Sequence, residues 1–276
     1  MGRRKKEKKG RKSPPSSPGR PSARVADSTD AASAFLGEMP DRRAIEGAMR
    51  QWVADQMGEE SEDSPLNRAQ QLMYEAFESQ DPRQQIQTAQ QALAISPDCA
   101  DAYALLGDYA GSPQEALQLY EQGVAAGERA LGVEAFNELE GHFWGFMETR
   151  PYMRARLGLV NALLELRERE KAAAHLQDML LLNPDDNQGA RYILLGVLID
   201  LDRDDDAATL INLYPDDCSA EWHYSRALLT FRRGGDTPHS RNLLAEASRV
   251  NPHVPPYLAG FKNLPSTQPP YVELGG

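Results

Sequence analysis

The chain has 276 residues, 41% of them hydrophobic and 26% charged, and a formal net charge of −11, a composition typical of a globular protein long enough to bury a sizeable core. No run approaches the ~18 consecutive apolar residues of a spanning helix, and no apolar segment follows the N-terminal basic cluster as a secretory signal would require. Cys99 and Cys218 form no CxxC pair, which argues against a disulfide framework or a zinc site. Both are expected as small buried hydrophobes, in a cytoplasmic protein or, in a host with a nucleus, a nuclear one.

In chain order, the first feature is a cationic leader. Arg3, Arg4, Lys5, Lys6, Lys8, Lys9, Arg11 and Lys12, with Arg20 and Arg24, stand against Glu7 alone, a balance of +9 that leaves −20 for the rest of the chain. Prolines and serines fill the gaps, so residues 1–30 are predicted to be a disordered tail. Such a tail suits a tether to nucleic acid or an anionic surface, or simple solubilisation. No aromatic residue precedes Phe35, so the stacking half of a single-strand platform is missing. Residues 31–64 are predicted as a short helix over about 41–56 and an acidic linker, Gly58 to Asp63.

From residue 65 to 253 the chain is punctuated. Ser96-Pro97, Asn183-Pro184, Tyr214-Pro215 and Asn251-Pro252 each close an apolar, alanine-bearing run; Pro184 and Pro252 are 68 residues apart, twice a period of 34, and Pro97 and Pro184 are 87 apart, two periods with 19 residues over. A fixed period near 34 marks stacked helix-turn-helix units. One-faced apolar spacing predicts helices over 66–79 and 83–95, then from Ala100, from Glu115 to Gly123, and in later pairs over 152–166 and 170–182, 188–201 and 204–213, 220–232 and 237–250. Tyr103, Leu106-Gly107, Ala116, Tyr120 and Gly123 in the second unit resemble the tetratricopeptide repeat, although Ala116 stands only nine positions after Gly107 where the family has twelve. The expected fold is therefore all-α, a tetratricopeptide-like helical-hairpin solenoid of about five pairs.

The 19 surplus residues form an expected insertion at about 130–150, holding Gly141-His142-Phe143-Trp144-Gly145-Phe146 and then Glu148-Thr149-Arg150-Pro151-Tyr152-Met153-Arg154-Ala155-Arg156. This string, with Asn183 to Tyr192 and Asn251 to Pro255, resembles the suppressor of tumorigenicity 7 family and its bacterial relatives over about 95–265. The resemblance implies no enzymatic activity and no cofactor. Two physical readings stay open for the string. The aromatics and arginines could grip an extended acidic peptide, or Phe143, Trp144 and Phe146 could plug the wider gap while Glu148 pairs with a neighbouring arginine.

The expected function is non-enzymatic binding of a peptide or protein on the concave face, where the resemblance to tetratricopeptide arrays places the first helices. Arg150, Arg154, Arg156, Asn161, Arg191, Tyr192, Trp222 and Arg226 are the candidate contacts, and reversal of Arg154 and Arg156 to Glu is expected to abolish binding without loss of helicity. Alternatives are a nucleic-acid- or ribosome-associated adaptor held by the leader, and a hydrolytic or metal enzyme, for which no catalytic, cofactor or metal set stands out. Asp204-Asp205-Asp206 suits a helix start better than a metal. Residues 254–276, rich in proline, are expected to cap the last pair.

Overall fold

Eleven α-helices account for nearly all of residues 64–263, the part of the chain that the computed structural model describes. They are α1 (Pro65–Glu78), α2 (Pro82–Ile95), α3 (Ala100–Asp108), α4 (Pro113–Glu138), α5 (Arg150–Glu165), α6 (Arg169–Leu182), α7 (Ala190–Asp200), α8 (Asp204–Leu213), α9 (Ala220–Gly234), α10 (Pro238–Val250) and the short α11 (Val254–Leu258). The cationic leader, the expected helix over 41–56 and its acidic linker lie outside the described residues, as do residues 264–276.

Proline sets both ends of many of these helices. Helix starts leave backbone N–H groups unpaired, and a side-chain oxygen followed by proline at the first helical position repairs this at little cost. Ser64 Oγ accepts from the Asn67 N–H at 3.1 Å, Asp81 from Arg83 at 3.0 Å and Ser112 from Glu115 at 3.3 Å, each just before a proline. Thr237, before Pro238, shares a reciprocal capping box with Ser240. At the other end, Ser96, Asn183, Tyr214 and Asn251 cap α2, α6, α8 and α10, and proline comes next in each case. The sequence-based boundaries fall within two residues of these elements, except in the second unit.

Consecutive helices pack as five hairpins, α1/α2, α3/α4, α5/α6, α7/α8 and α9/α10, with each hairpin against the next. Small residues let them close. Ala69, Met73 and Ala76 of α1 meet Ala89 and Ala92 of α2 and Cys99, Ala102 and Leu105 at the next hairpin in one buried cluster. In the second unit the Tyr120 ring lies against Gly107 and Gly158: a Cβ would come within 2.8 Å of its ring atoms at the first and 2.1 Å at the second. Its hydroxyl donates to Asp108 at 2.6 Å. Among the described residues no helix is long and apolar enough to cross a membrane.

The second unit departs from expectation. Its second helix does not end near Gly123 but runs to Glu138, 26 residues in all, with non-helical backbone at Gly132 (φ 70°, ψ 164°). The cause is in the sequence: α4 is the second helix that lacks a closing X-Pro step, so the surplus residues lengthen a helix before they form a loop. The chain then turns through a short 3₁₀ segment, Phe143–Gly145, into α5. Phe143 is fully buried and meets Phe136 and Tyr152 with ring centroids 5.1 and 6.0 Å apart. Thr149 Oγ1, also buried, donates to the carbonyls of Phe143 and Phe146 and closes the loop on itself. Of the expected C-terminal cap, α11 and the following turn are described. They leave Leu258 and Phe261 mostly exposed, and Leu258 borders an apolar cleft with Leu228, Phe231 and Leu244 of α9 and α10.

Candidate functional site

The lengthened α4 makes one side of a groove. Asn67, Gln70, Gln71 and Tyr74 of α1 fall at i, i+3, i+4 and i+7, one stripe of the helix, next to the face that buries Ala69, Met73 and Ala76. With Leu66 they line a cavity of about 410 Å³, completed by Asp98 and Ala100 at the start of α3, by Gly127, Ala130 and Leu131 of α4, and by Met147, Glu148, Pro151 and Tyr152. Gly127 is required: a Cβ there would stand 2.9 Å from the Tyr152 Cβ, so α4 and α5 touch nearly backbone to backbone behind the groove. The volume falls in the range of ligand-binding clefts, and the lining mixes apolar side chains with three amides, two tyrosines and two carboxylates.

No lysine, arginine or histidine lines the groove, whereas two carboxylates do. Asp98 is held by Arg129 at 2.8 Å, with Arg129 also donating to the Pro97 carbonyl. Glu148 is exposed, and neither it nor Gln71 has a hydrogen-bond or ion-pair partner among the described residues. The pairing of Glu148 with a neighbouring arginine, expected if the string were packing alone, is therefore not formed. Phe143 and Phe146 of the string are core, while Met147, half exposed, and Glu148 line the groove.

Four of the five arginines named from the sequence are bound within the chain, and the Arg226 side chain has no partner among the described residues. Arg154 of α5 forms a two-pronged pair with Asp101 of α3, Nε to Oδ1 at 2.7 Å and Nη2 to Oδ2 at 2.5 Å. Asp101 is 0% exposed and also accepts from Gln70 Nε2 of α1 at 2.6 Å. One buried carboxylate thus ties the first helices of three successive hairpins. Burial works against the charge on Arg154, and the bond to Asp101 outweighs it. Arg156, 8% exposed, donates to the Tyr152 hydroxyl at 2.6 Å and to Asp178 at 2.5 Å, linking α5 to α6. Arg150 donates to the Trp144 carbonyl at 3.0 Å and lies over that indole. Reversing Arg154 and Arg156 would set a carboxylate against buried Asp101, so that variant probes the fold and not a partner.

Arg191 repeats the arrangement in the fourth unit. It donates to Asp217 at 2.9 Å, to Asp186 at 3.1 Å and to the Tyr192 hydroxyl at 2.8 Å, and the Tyr192 hydroxyl in turn donates to Asp217 at 2.7 Å. Its guanidinium is within 6 Å of the rings of Tyr192, Tyr214 and Trp222, which suits a planar cation. Burial raises the pKa of Asp217, but hydrogen bonds from Ser219, Tyr192 and Arg191 outweigh it and hold the group at about 2. Burial pushes Asp186 upward, against hydrogen bonds from the backbone N–H groups of Arg191 and Ala190. Trp222 is 1% exposed, with its indole N–H on the Ile211 carbonyl at 3.4 Å. Asn161, exposed on α5, and Arg226, half buried on α9, do not line the groove.

The other candidates are dispersed. Asp204 and Asp206 pair with Arg232 and Arg203, each at 2.8 Å, and Asp205 pairs with Arg233, so the triplet serves three separate ion pairs. Among the described residues no group of three His, Cys, Asp or Glu side chains could hold a metal ion. Cys99 is buried, and burial pushes its thiol up to about 11. Cys218, expected to be buried too, is exposed in the turn before α9. Sequence reasoning missed the α1 stripe. The signal was present, as uncharged amides at Asn67, Gln70 and Gln71 on one face of a helix whose other polar positions are mostly charged.

The sequence matches no family model and no curated protein. Among solved structures it is similar to YrrB, a TPR protein with an unusual peptide-binding site, at a TM-score of 0.50 and 16% identity, covering 78% of this chain and 97% of that one. It is also similar to MamA, at a TM-score of 0.48 and 14% identity over 74% and 99% of the two chains. The first match shows that the fold is that of tetratricopeptide (TPR) proteins. Neither match connects the chain with the suppressor of tumorigenicity 7 family.

Proposed function

We propose that this array is a binding module that holds an extended segment of another protein in the groove between α1 and the α4–α5 junction. The observation that carries the reading is the groove itself. It has apolar sides at Leu66, Leu131 and Met147, and an unpaired amide at Gln71 beside it. An extended peptide presents alternating N–H and C=O groups, and a side-chain amide can serve both. YrrB, with the same fold, is a TPR protein with a peptide-binding site of its own, which makes this use of the fold a natural one without locating it. The arginines first picked out serve here as scaffold: Arg154 and Asp101 fix α1, α3 and α5 so that the stripe keeps its place.

The test is site-specific photocrosslinking in the native host, with a benzoylphenylalanine at Gln71, at Met147 or at Asn161. All three positions are exposed, so each variant should fold. Adducts to the same protein from Gln71 and Met147, and none from Asn161, are the expected result; equal labelling from Asn161, or none from the groove, would overturn the reading. The +9 balance of the leader favours a second reading, an adaptor tethered through residues 1–24. Its signature is capture that weakens steeply with salt and vanishes with nuclease.

A further inference from the structure

Resting on the reading above, we infer that the segment held in the groove is basic: an extended peptide carrying lysine or arginine beside apolar residues, with Glu148 receiving the cation. Three observations converge. The lining has no cationic side chain, and its two carboxylates are Asp98 and Glu148. Asp98 already has Arg129, but Glu148 has no partner among the described residues, so a negative ligand meets repulsion while a positive one completes an ion pair. Of the five arginines picked out from the sequence, Arg154, Arg156 and Arg191 are held by Asp101, Asp178 and Asp217, and the other two, Arg150 and Arg226, do not line the groove.

The setting strengthens the preference. Glu148 stands beside Met147, an exposed and adaptable apolar side chain, and the groove also holds the half-buried Tyr74. Lysine and arginine lay their aliphatic stems on such surfaces while the charged head reaches a carboxylate. A ring within reach adds to the attraction. Outside the leader the chain carries −20, a field that raises the encounter rate of cationic segments and slows anionic ones.

The probe is a displayed library of random twelve-residue peptides, selected on the full-length protein, with the recovered peptides then synthesised and bound in solution. The expected pool is enriched in lysine and arginine. Its members should bind at least tenfold more weakly to Glu148→Lys, yet normally to Glu246→Lys, which makes the same charge change at an exposed position of α10. Circular dichroism melting of both variants confirms that the fold is kept. A pool that is acidic or uncharged but displaced by Met147→Arg overturns the inference and leaves the groove reading standing. No pool sensitive to Met147→Arg overturns both, and a basic pool indifferent to Glu148→Lys overturns the assignment of that residue.

Discussion

A buried carboxylate with one counter-ion decides a great deal at the residue scale. Asp101 is fully buried and its charge is matched by Arg154, so Arg154→Ala would leave that charge with the Gln70 amide and no counter-ion, and breaking a buried pair in this way typically costs about 3–5 kcal/mol. Urea unfolding should show that loss, and Asp101→Asn in the Arg154→Ala background should recover part of it. Equal stability of the wild type and Arg154→Ala would mean the pair is not holding the hairpins. Asp217 makes a pH-dependent contribution. Its folded-state value of about 2 lies below its ordinary 3.8, so its stabilisation is complete above that ordinary value and is lost as pH falls towards 2. Asp217→Asn should therefore be about 2 kcal/mol less stable than the wild type at neutral pH. The difference should shrink as pH falls from about 4 to 2, read from thermal melts across that range. Neither role was legible beforehand: Arg154 finds Asp101 53 positions away, and an arginine on a helix looks the same in sequence whether its partner is internal or another molecule.

At the scale of the element, punctuation was legible and continuation was not. A proline cannot donate to the helix ladder and restrains the residue before it, so Ser96, Asn183, Tyr214 and Asn251 announced four helix ends directly. The overrun of α4 was announced only by a missing proline, and the Gly123 expected to end that helix is instead a buried interior contact with Tyr103 and Ala155. The break falls at Gly132, at φ 70° and ψ 164°, a region that is essentially glycine's alone. Gly132→Ala should cost about 1–3 kcal/mol and shift the loop that carries Met147 and Glu148. Chemical denaturation measures the first effect. An unchanged midpoint would show that the break at Gly132 is not needed.

For the molecule as a whole, a solenoid's hairpins each contact only their neighbours, which is why a period and a few small residues were enough to read the architecture. The groove was not readable in the same way. Its sides come from residues 66–74, 98–100, 127–131 and 147–152, and they meet only because α4 runs past the point where its sister helices stop. Arg191, Tyr192 and Trp222, expected on the binding face, form a cross-link between hairpins, built of the same residue types that favour interfaces. Hydrogen–deuterium exchange of the full chain, with and without a peptide recovered from the library, locates the surface that the peptide covers. Slowed exchange confined to residues 65–74, 127–131 and 147–152 is the expected result. Slowed exchange instead over α7 and α9, around Arg191 and Arg226, would contradict it.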